Sequence, residues 1–203
     1  IIKLNNNGVK NATAFGSITG LGSMTFIKKL TASSSSTLSF VDGSSDVVLD
    51  NTYKEYVFTF KDIHPATDDT SFEFNGSSDG GSNYNVTKTT TFFNAYHNEA
   101  GNSTNLGYGT GGDLAQSTSF QRIIAGVGNG NDESGVATLH LFSPSSTTFV
   151  KHFISVSQRL SQTYSVNDYV AGYFNTTSVV NAIQFKFASG NIDAGDICLY
   201  GIA

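Results

Sequence analysis

The chain contains no tryptophan, one cysteine, two prolines and little charge: Asp, Glu, Lys and Arg together make up 13% of its 203 residues. A single cysteine, Cys198, excludes an intrachain disulfide, and its place in an apolar stretch near the end of the chain reads as a buried thiol. No apolar run approaches the length of a membrane-spanning helix, so no membrane partner is expected. No charged region followed by an apolar one opens the sequence, so no secretory signal is read there. The net charge of −5 and a pI near 5.2 argue against nucleic acid, since phosphate contacts need clustered Lys and Arg. Lys28-Lys29 is the one adjacent basic pair, on what reads as a strand start.

Ser, Thr, Asn and Gly fill the places that charge leaves. The usual charged share is about 25%, so the surface is built largely from hydroxyls and amides. Such a surface suits a saline medium or packing against copies of itself, and it is also what the loops of a β-sandwich ordinarily carry. The apolar side is supplied by 16 Phe and 9 Tyr, each of which buries a large area.

Period-two alternation recurs along the chain, and no stretch has a helical period. At the C-terminal end Ile183, Phe185 and Phe187 alternate with Gln184 and Lys186. Ser189-Gly190-Asn191 then breaks the run, and Ile197 to Ile202 reads as its strand partner. In Tyr56-Val57-Phe58-Thr59-Phe60-Lys61 the aromatic residues share a face opposite Thr59 and Lys61, and Leu139 and Leu141 oppose Thr138 and His140. The predicted strands are 25–30, 37–41, 54–63, 71–75, 84–96, 120–125, 136–142, 149–156, 168–175, 181–188 and 195–202. Asp42-Gly43 and Asp79-Gly80-Gly81 read as hairpin turns. His64-Pro65 and Ser143-Pro144 each end a strand. Residues 101–112 read as a long polar loop, and 113–125 as a loop leading into a strand. About eleven short strands on one core predict an all-β protein: an antiparallel, jelly-roll-like β-sandwich over residues 24–203.

Residues 1–23 differ. Turn and linker chemistry dominates, and Leu4, Val9, Phe15, Ile18 and Leu21 are too sparse for a core. They are read as an extended docking arm in which these five apolar residues make the interaction.

Two catalytic signatures match literally and fail on context. Gly76-Ser77-Ser78-Asp79-Gly80 fits a nucleophile elbow, but that chemistry needs a strand turning into a helix, and here the segment joins two strand-like runs. Gly107-Tyr108-Gly109-Thr110-Gly111-Gly112 fits a dinucleotide fingerprint, but no βαβ unit surrounds it, and it reads as a flexible loop. Asn129-Gly130-Asn131-Asp132-Glu133 offers alternate oxygen ligands for a cation without the spacing of an EF-hand. His64, His97, His140 and His152 lack metal-ligand spacing, and His140 falls on a wet strand face. Asp68-Asp69 and Asp46/Asp50 are the nearest paired carboxylates, and such loop aspartates usually cap turns. Sugar stacking would fall to Tyr84, Tyr108 or Tyr164. The Asn-x-Ser/Thr sequons at Asn11, Asn75, Asn85, Asn102 and Asn175 are expected by chance in this composition. No catalytic, cofactor-binding or metal-binding residue is assigned, and the chain is not expected to be an enzyme.

Several segments carry a resemblance. Met24-Thr-Phe-Ile-Lys-Lys-Leu-Thr-Ala-Ser, Leu38-Ser-Phe-Val-Asp-Gly-Ser and Ile63-His-Pro-Ala-Thr-Asp-Asp resemble virion structural proteins of marine bacteriophages. So do Ser143-Pro-Ser-Ser-Thr-Thr-Phe-Val-Lys-His-Phe-Ile, Ser189-Gly-Asn-Ile-Asp-Ala-Gly and Leu199-Tyr-Gly-Ile. The likeness covers residues 24–202, and none of its motifs is catalytic. It implies a virion surface protein, a capsid decoration or head fibre held by its N-terminal arm to other virion proteins and assembled as a homotrimer. The alternative is a tail-fibre adhesin touching a host glycan through the 101–112 loop or the loop near Gly130.

Overall fold

A computed structural model of the chain describes residues 24–203. They form twelve strands: β1 Met24–Thr31, β2 Leu38–Val41, β3 Glu55–Pro65, β4 Thr70–Ser77, β5 Lys88–Asn98 and β6 Thr104–Tyr108, then β7 Gln121–Val127, β8 Gly135–Phe142, β9 Lys151–Ser161, β10 Tyr164–Phe174, β11 Ala182–Phe187 and β12 Ile192–Ile202. There is no helix among the described residues. Two antiparallel sheets pack face to face, one of eight strands in the order β1-β12-β3-β8-β9-β10-β5-β6 and one of four in the order β2-β11-β4-β7. This is the expected β-sandwich. The orders β1-β12-β3-β8 and β2-β11-β4-β7 are those of the two sheets of a jelly roll, and β9, β10, β5 and β6 extend the first sheet beyond β8.

The core explains the phenylalanine count. The Phe185 ring on β11 lies 5.0 to 6.3 Å, centroid to centroid, from the rings of Phe40, Phe58, Phe60, Phe72 and Phe74. All six are at most 2% exposed. The aromatic positions of 56–60 and 183–187, separated by two, thus face each other across the sheets.

The structure corrects several expectations. The C-terminal runs are not strand partners: β11 pairs with β2 and β4, while β12 pairs with β1 and β3 in the other sheet. Asp42-Gly43 and Gly80-Gly81 do turn the chain, with φ of 74° at Gly43 and 71° at Gly80. These turns lead across from one sheet to the other rather than closing hairpins, because β2 and β4 lie in the four-stranded sheet and β3 and β5 in the eight-stranded one. For the same reason 84–87 is part of a crossing, and β5 begins only at Lys88.

Residues 101–112 are not one loop. Thr104–Tyr108 pairs with β5 as the edge strand β6. The glycine-rich segment that follows is seated rather than free. The amide of Gly109 donates to the Phe92 carbonyl (2.9 Å). A Cβ on Gly109 or Gly112 would come within 2.6 Å of the Phe92 ring, so both positions need glycine to let the backbone lie on that ring. The spacing that resembled a nucleotide-binding loop is the spacing that covers one phenylalanine.

Candidate functional site

The titratable groups of the domain are mostly engaged in holding it together. Ser77, in the elbow-like motif, ends β4 and is buried. Its hydroxyl donates to Asp79 Oδ1 (2.6 Å) and accepts from the amides of Asp79 and Gly81 (3.2 and 3.0 Å). The Ser77 hydroxyl, with the side chain and amide of Asn83, donates to the Asp79 carboxylate and holds it down at about 2. Asp50 Oδ1 accepts from the Thr52 amide and so caps its own turn, whereas Asp68 Oδ1 accepts from the distant Asn129 amide and ties two loops together.

The 129–133 segment closes on itself. Glu133 accepts from the Gly130 amide through Oε2 (2.9 Å) and from the Gln162 amide through Oε1 (2.7 Å), while the Gly130 carbonyl meets His64 Nε2 (3.2 Å). Both Glu133 carboxylate oxygens are thus taken by backbone amides. Among the described residues no three His, Cys, Asp or Glu side chains gather as a metal set. Tyr84, Tyr108 and Tyr164 are not brought together. Tyr84 lies under Gly81, the Tyr108 hydroxyl donates to Asp113 (2.7 Å), and Tyr164 packs edge-on against Tyr96. Of the sequons, Asn75 is wholly buried, and its side chain ties the carbonyls of Tyr84 and Thr118 to the amide of Gly76. Cys198 is buried, as expected. Leu4, Val9, Phe15, Ile18 and Leu21 lie outside the described residues.

The eight-stranded sheet holds a feature that no motif marks. In its β9-β10-β5 half, polar and charged side chains are buried among Phe92, Phe153, Val166, Val170 and Phe174, while several apolar ones face out. Along β9 the inward positions are Lys151, Phe153, Ser155, Ser157 and Arg159, all buried, whereas Ile154 and Val156 point outward and are 49% and 41% exposed. On β10, Asp168 is buried and its neighbour Tyr169 faces out. On β5, Lys88 and Thr90 are buried while Phe93 faces out.

Inside, the polar groups pair across the sandwich. Arg159 Nη1 donates to Asp168 Oδ2 (2.6 Å), the Ala125 amide on β7 donates to the same oxygen (2.9 Å), and Arg159 Nε reaches the Gly126 carbonyl (3.1 Å). Burial pushes the Asp168 carboxyl upward, and the Arg159 guanidinium opposes that shift. Thr90 Oγ1 donates to Gln121 Oε1 (2.6 Å), and Gln121 Nε2 donates to the Gly112 carbonyl (2.9 Å). Lys88 Nζ donates to the Ser119 carbonyl (2.5 Å) and sits 5.8 Å from the Phe174 ring, with burial lowering it to about 7. Among the described residues the hydroxyls of Ser155 and Ser157 have no hydrogen-bond partner.

Outside, charge disappears. Read from the strand registers, β8, β9, β10, β5 and β6 turn 4, 5, 5, 5 and 3 side chains outward, 22 in all, and none is Asp, Glu, Lys or Arg. At the chain's 13%, about three would be. One row across the strands reads Thr138, Val156, Tyr169, Phe93, Tyr108. Phe93 and Tyr169 stack with ring centroids 4.7 Å apart and planes 5° from parallel. Beside that pair a shallow groove of about 430 Å³ opens over Ala171, flanked by Thr91, His152, Ile154 and Tyr173. Charge returns on the other strands of the sheet. Glu55 bonds His140 at the border (2.5 Å), and farther out Lys29 pairs with Asp196 (3.1 Å).

Fold and surface together define a jelly-roll-like β-sandwich in which five strands of one sheet turn out no Asp, Glu, Lys or Arg. Comparison with protein-family models, curated proteins and solved structures found no match.

Proposed function

We propose that the chain is a non-enzymatic structural protein of a bacteriophage particle surface, a capsid decoration or head fibre. Residues 1–23 attach it to other virion proteins, with Leu4, Val9, Phe15, Ile18 and Leu21 as the contacts. The observation that carries the reading is the outer face of β8, β9, β10, β5 and β6, which presents no Asp, Glu, Lys or Arg. Large apolar side chains point into solvent there while polar ones are buried beneath, an arrangement that serves contact rather than chemistry. The likeness of residues 24–202 to virion structural proteins supplies the setting. The buried ionisable groups support it too, because Arg159 and Asp168 bind each other and the backbone of β7.

A second reading, a tail-fibre adhesin for a host glycan, is favoured by the groove over Ala171, where Tyr173 and His152 stand beside the hydroxyls of Thr89 and Thr91. Imaging of purified virions tests the first reading. Density fitting the sandwich on the capsid exterior, lost when residues 1–23 are deleted, is the expected result. Density only at a tail tip, together with binding on a glycan array, would replace it with the second.

A further inference from the structure

We infer that the outer face of β8, β9, β10, β5 and β6 is a self-docking surface, whose occupant is the same face of a second copy of this chain. The inference rests on the structural role proposed above and names the partner of that face.

Composition comes first. Six of the nine large apolar side chains exposed among the described residues lie here: Val136, Ile154, Val156, Phe93, Leu106 and Tyr108. Leu106 and Tyr108, on the edge strand, are 71% and 56% exposed. Scattered apolar exposure is ordinary, but a contiguous apolar field on one sheet marks an interaction site. The alternation along β9 adds to this. Turning β9 over would bury Ile154 and Val156 and free the hydroxyls of Ser155 and Ser157, but it would expose Phe153, which packs on Phe74 and Phe174, and break the hydrogen bonds of Arg159. Phe153 and the buried Arg159–Asp168 pair thus hold Ile154 and Val156 outside, where an external partner can cover them.

Charge selects the partner. The chain carries a net −5, so two copies repel unless they meet where charge is absent, and these five strands offer such a place. The face carries His97, His140 and His152 but no Lys, Arg, Asp or Glu, so it offers little with which to recognise a strongly charged partner. It can pair with another neutral, aromatic-rich face, and its own copy supplies one without further design.

Size agrees. Five strands of 8, 11, 11, 11 and 5 residues, about 4.8 Å apart at about 3.3 Å per residue, cover roughly 730 Å². A standard stable interface buries about 800 Å² on each partner. Packing of two such faces at the usual shallow angle between sheets would bury the Ile154–Val156 centre and leave Glu55 and Lys61 at the rim.

The test uses the full chain. Light scattering coupled to size exclusion, at about 1 to 100 μM, is expected to give a mass at least twice the 21.5 kDa of one chain. The double variant Ile154→Lys/Val156→Lys is expected to run as a monomer with an unchanged circular dichroism spectrum, and Ser44→Lys, in an exposed turn remote from this face, as an oligomer like the parent. Should the double variant fail to fold, Leu106→Lys on the edge strand is expected to weaken self-association at least tenfold. A parent chain that is monomeric throughout the range, or folded face variants that keep the parent's mass, would overturn the inference, and glycan binding by a monomeric parent would give the face to the adhesin reading. These outcomes are separate from location on the virion: a monomer in solution that decorates capsids sinks the self-docking surface and leaves the structural role standing, and an oligomer through this face that is absent from particles does the reverse.

Discussion

The two halves of the sandwich solve the same packing problem in opposite ways. Under β3 and β12 the interior is dry: phenylalanines from both sheets interlock around Phe185, and charged side chains such as Lys61 and Asp196 stand outside. Under β9, β10 and β5 the interior mixes Phe92, Phe153, Val166, Val170 and Phe174 with Lys88, Thr90, Gln121, Ser155, Ser157, Arg159 and Asp168, while Phe93, Ile154 and Val156 face solvent. Geometry supplies part of the reason. The four-stranded sheet is half as wide as the eight-stranded one, and past its edge strand β7 the inner surface of β5 is covered by the 109–119 backbone instead of a strand row. That segment presents unpaired amides and carbonyls, such as the Leu114 amide and the Ser119 carbonyl, and Thr90 and Lys88 answer them. Backbone cover demands polar partners, whereas a facing sheet demands apolar ones.

The sharpest way to break the dry half is Phe185→Ala. The ring touches five others from both sheets, so its loss opens a cavity that flat, wedged rings cannot collapse into, and a destabilisation of about 4 kcal/mol is expected. Urea unfolding measures it. A loss under about 1.5 kcal/mol would mean that the aromatic cluster is not the part of the sandwich that holds the sheets together.

The polar half should respond in the other direction at Lys88. Its ammonium is fully buried, has the Ser119 carbonyl as its hydrogen-bond partner and lacks an anionic partner. Burial lowers it from 10.5 to about 7, which disfavours the charged form in the folded state. Between pH 7 and about 10.5 the unfolded chain therefore binds a proton that the folded chain has released, and stability rises with pH across that window. Below pH 7 the penalty is present in full. Lys88→Met removes the charge while keeping the length, and is expected to stabilise the domain by about 2 kcal/mol at pH 7. The gain should shrink at pH 9.5, where the parent has recovered most of its own. Equal gains at both pH values would show that the ammonium is not the source.

How much of this was legible in the sequence follows the same division. The dry half was readable because Phe58, Phe60, Phe185 and Phe187 alternate with polar neighbours, and alternation is what a half-buried strand requires. Strands in that half were predicted to within two or three residues. The polar half was not readable by that rule. In Phe153-Ile154-Ser155-Val156-Ser157 the alternation is plain, but the apolar residues Ile154 and Val156 fall on the outer face, and only the opposing β7 backbone decides which face is inside. The low overall charge was visible. Its concentration on one sheet face needed the β8-β9-β10-β5-β6 register to appear. The short edge strand β6 was hidden because Thr104-Asn105-Leu106-Gly107-Tyr108 carries loop composition, and pairing with β5 overrides local preference.

The finest test of the comparison is at Ser155. Its side chain is 1% exposed, lies between Phe153 and Ser157 on the inner face of β9, and has a hydroxyl without a partner among the described residues. A buried hydroxyl left unpaired is a burden that alanine relieves, at nearly the same volume. Ser155→Ala should therefore be neutral or stabilising by up to about 1 kcal/mol, in contrast to the usual cost of altering a buried side chain. Thermal unfolding of parent and variant in parallel reads the difference. A loss above about 1 kcal/mol would show that the hydroxyl takes part in the polar interior as Thr90 and Gln121 do, and that this half of the sandwich is held by a connected network rather than by the Arg159–Asp168 pair and its backbone contacts.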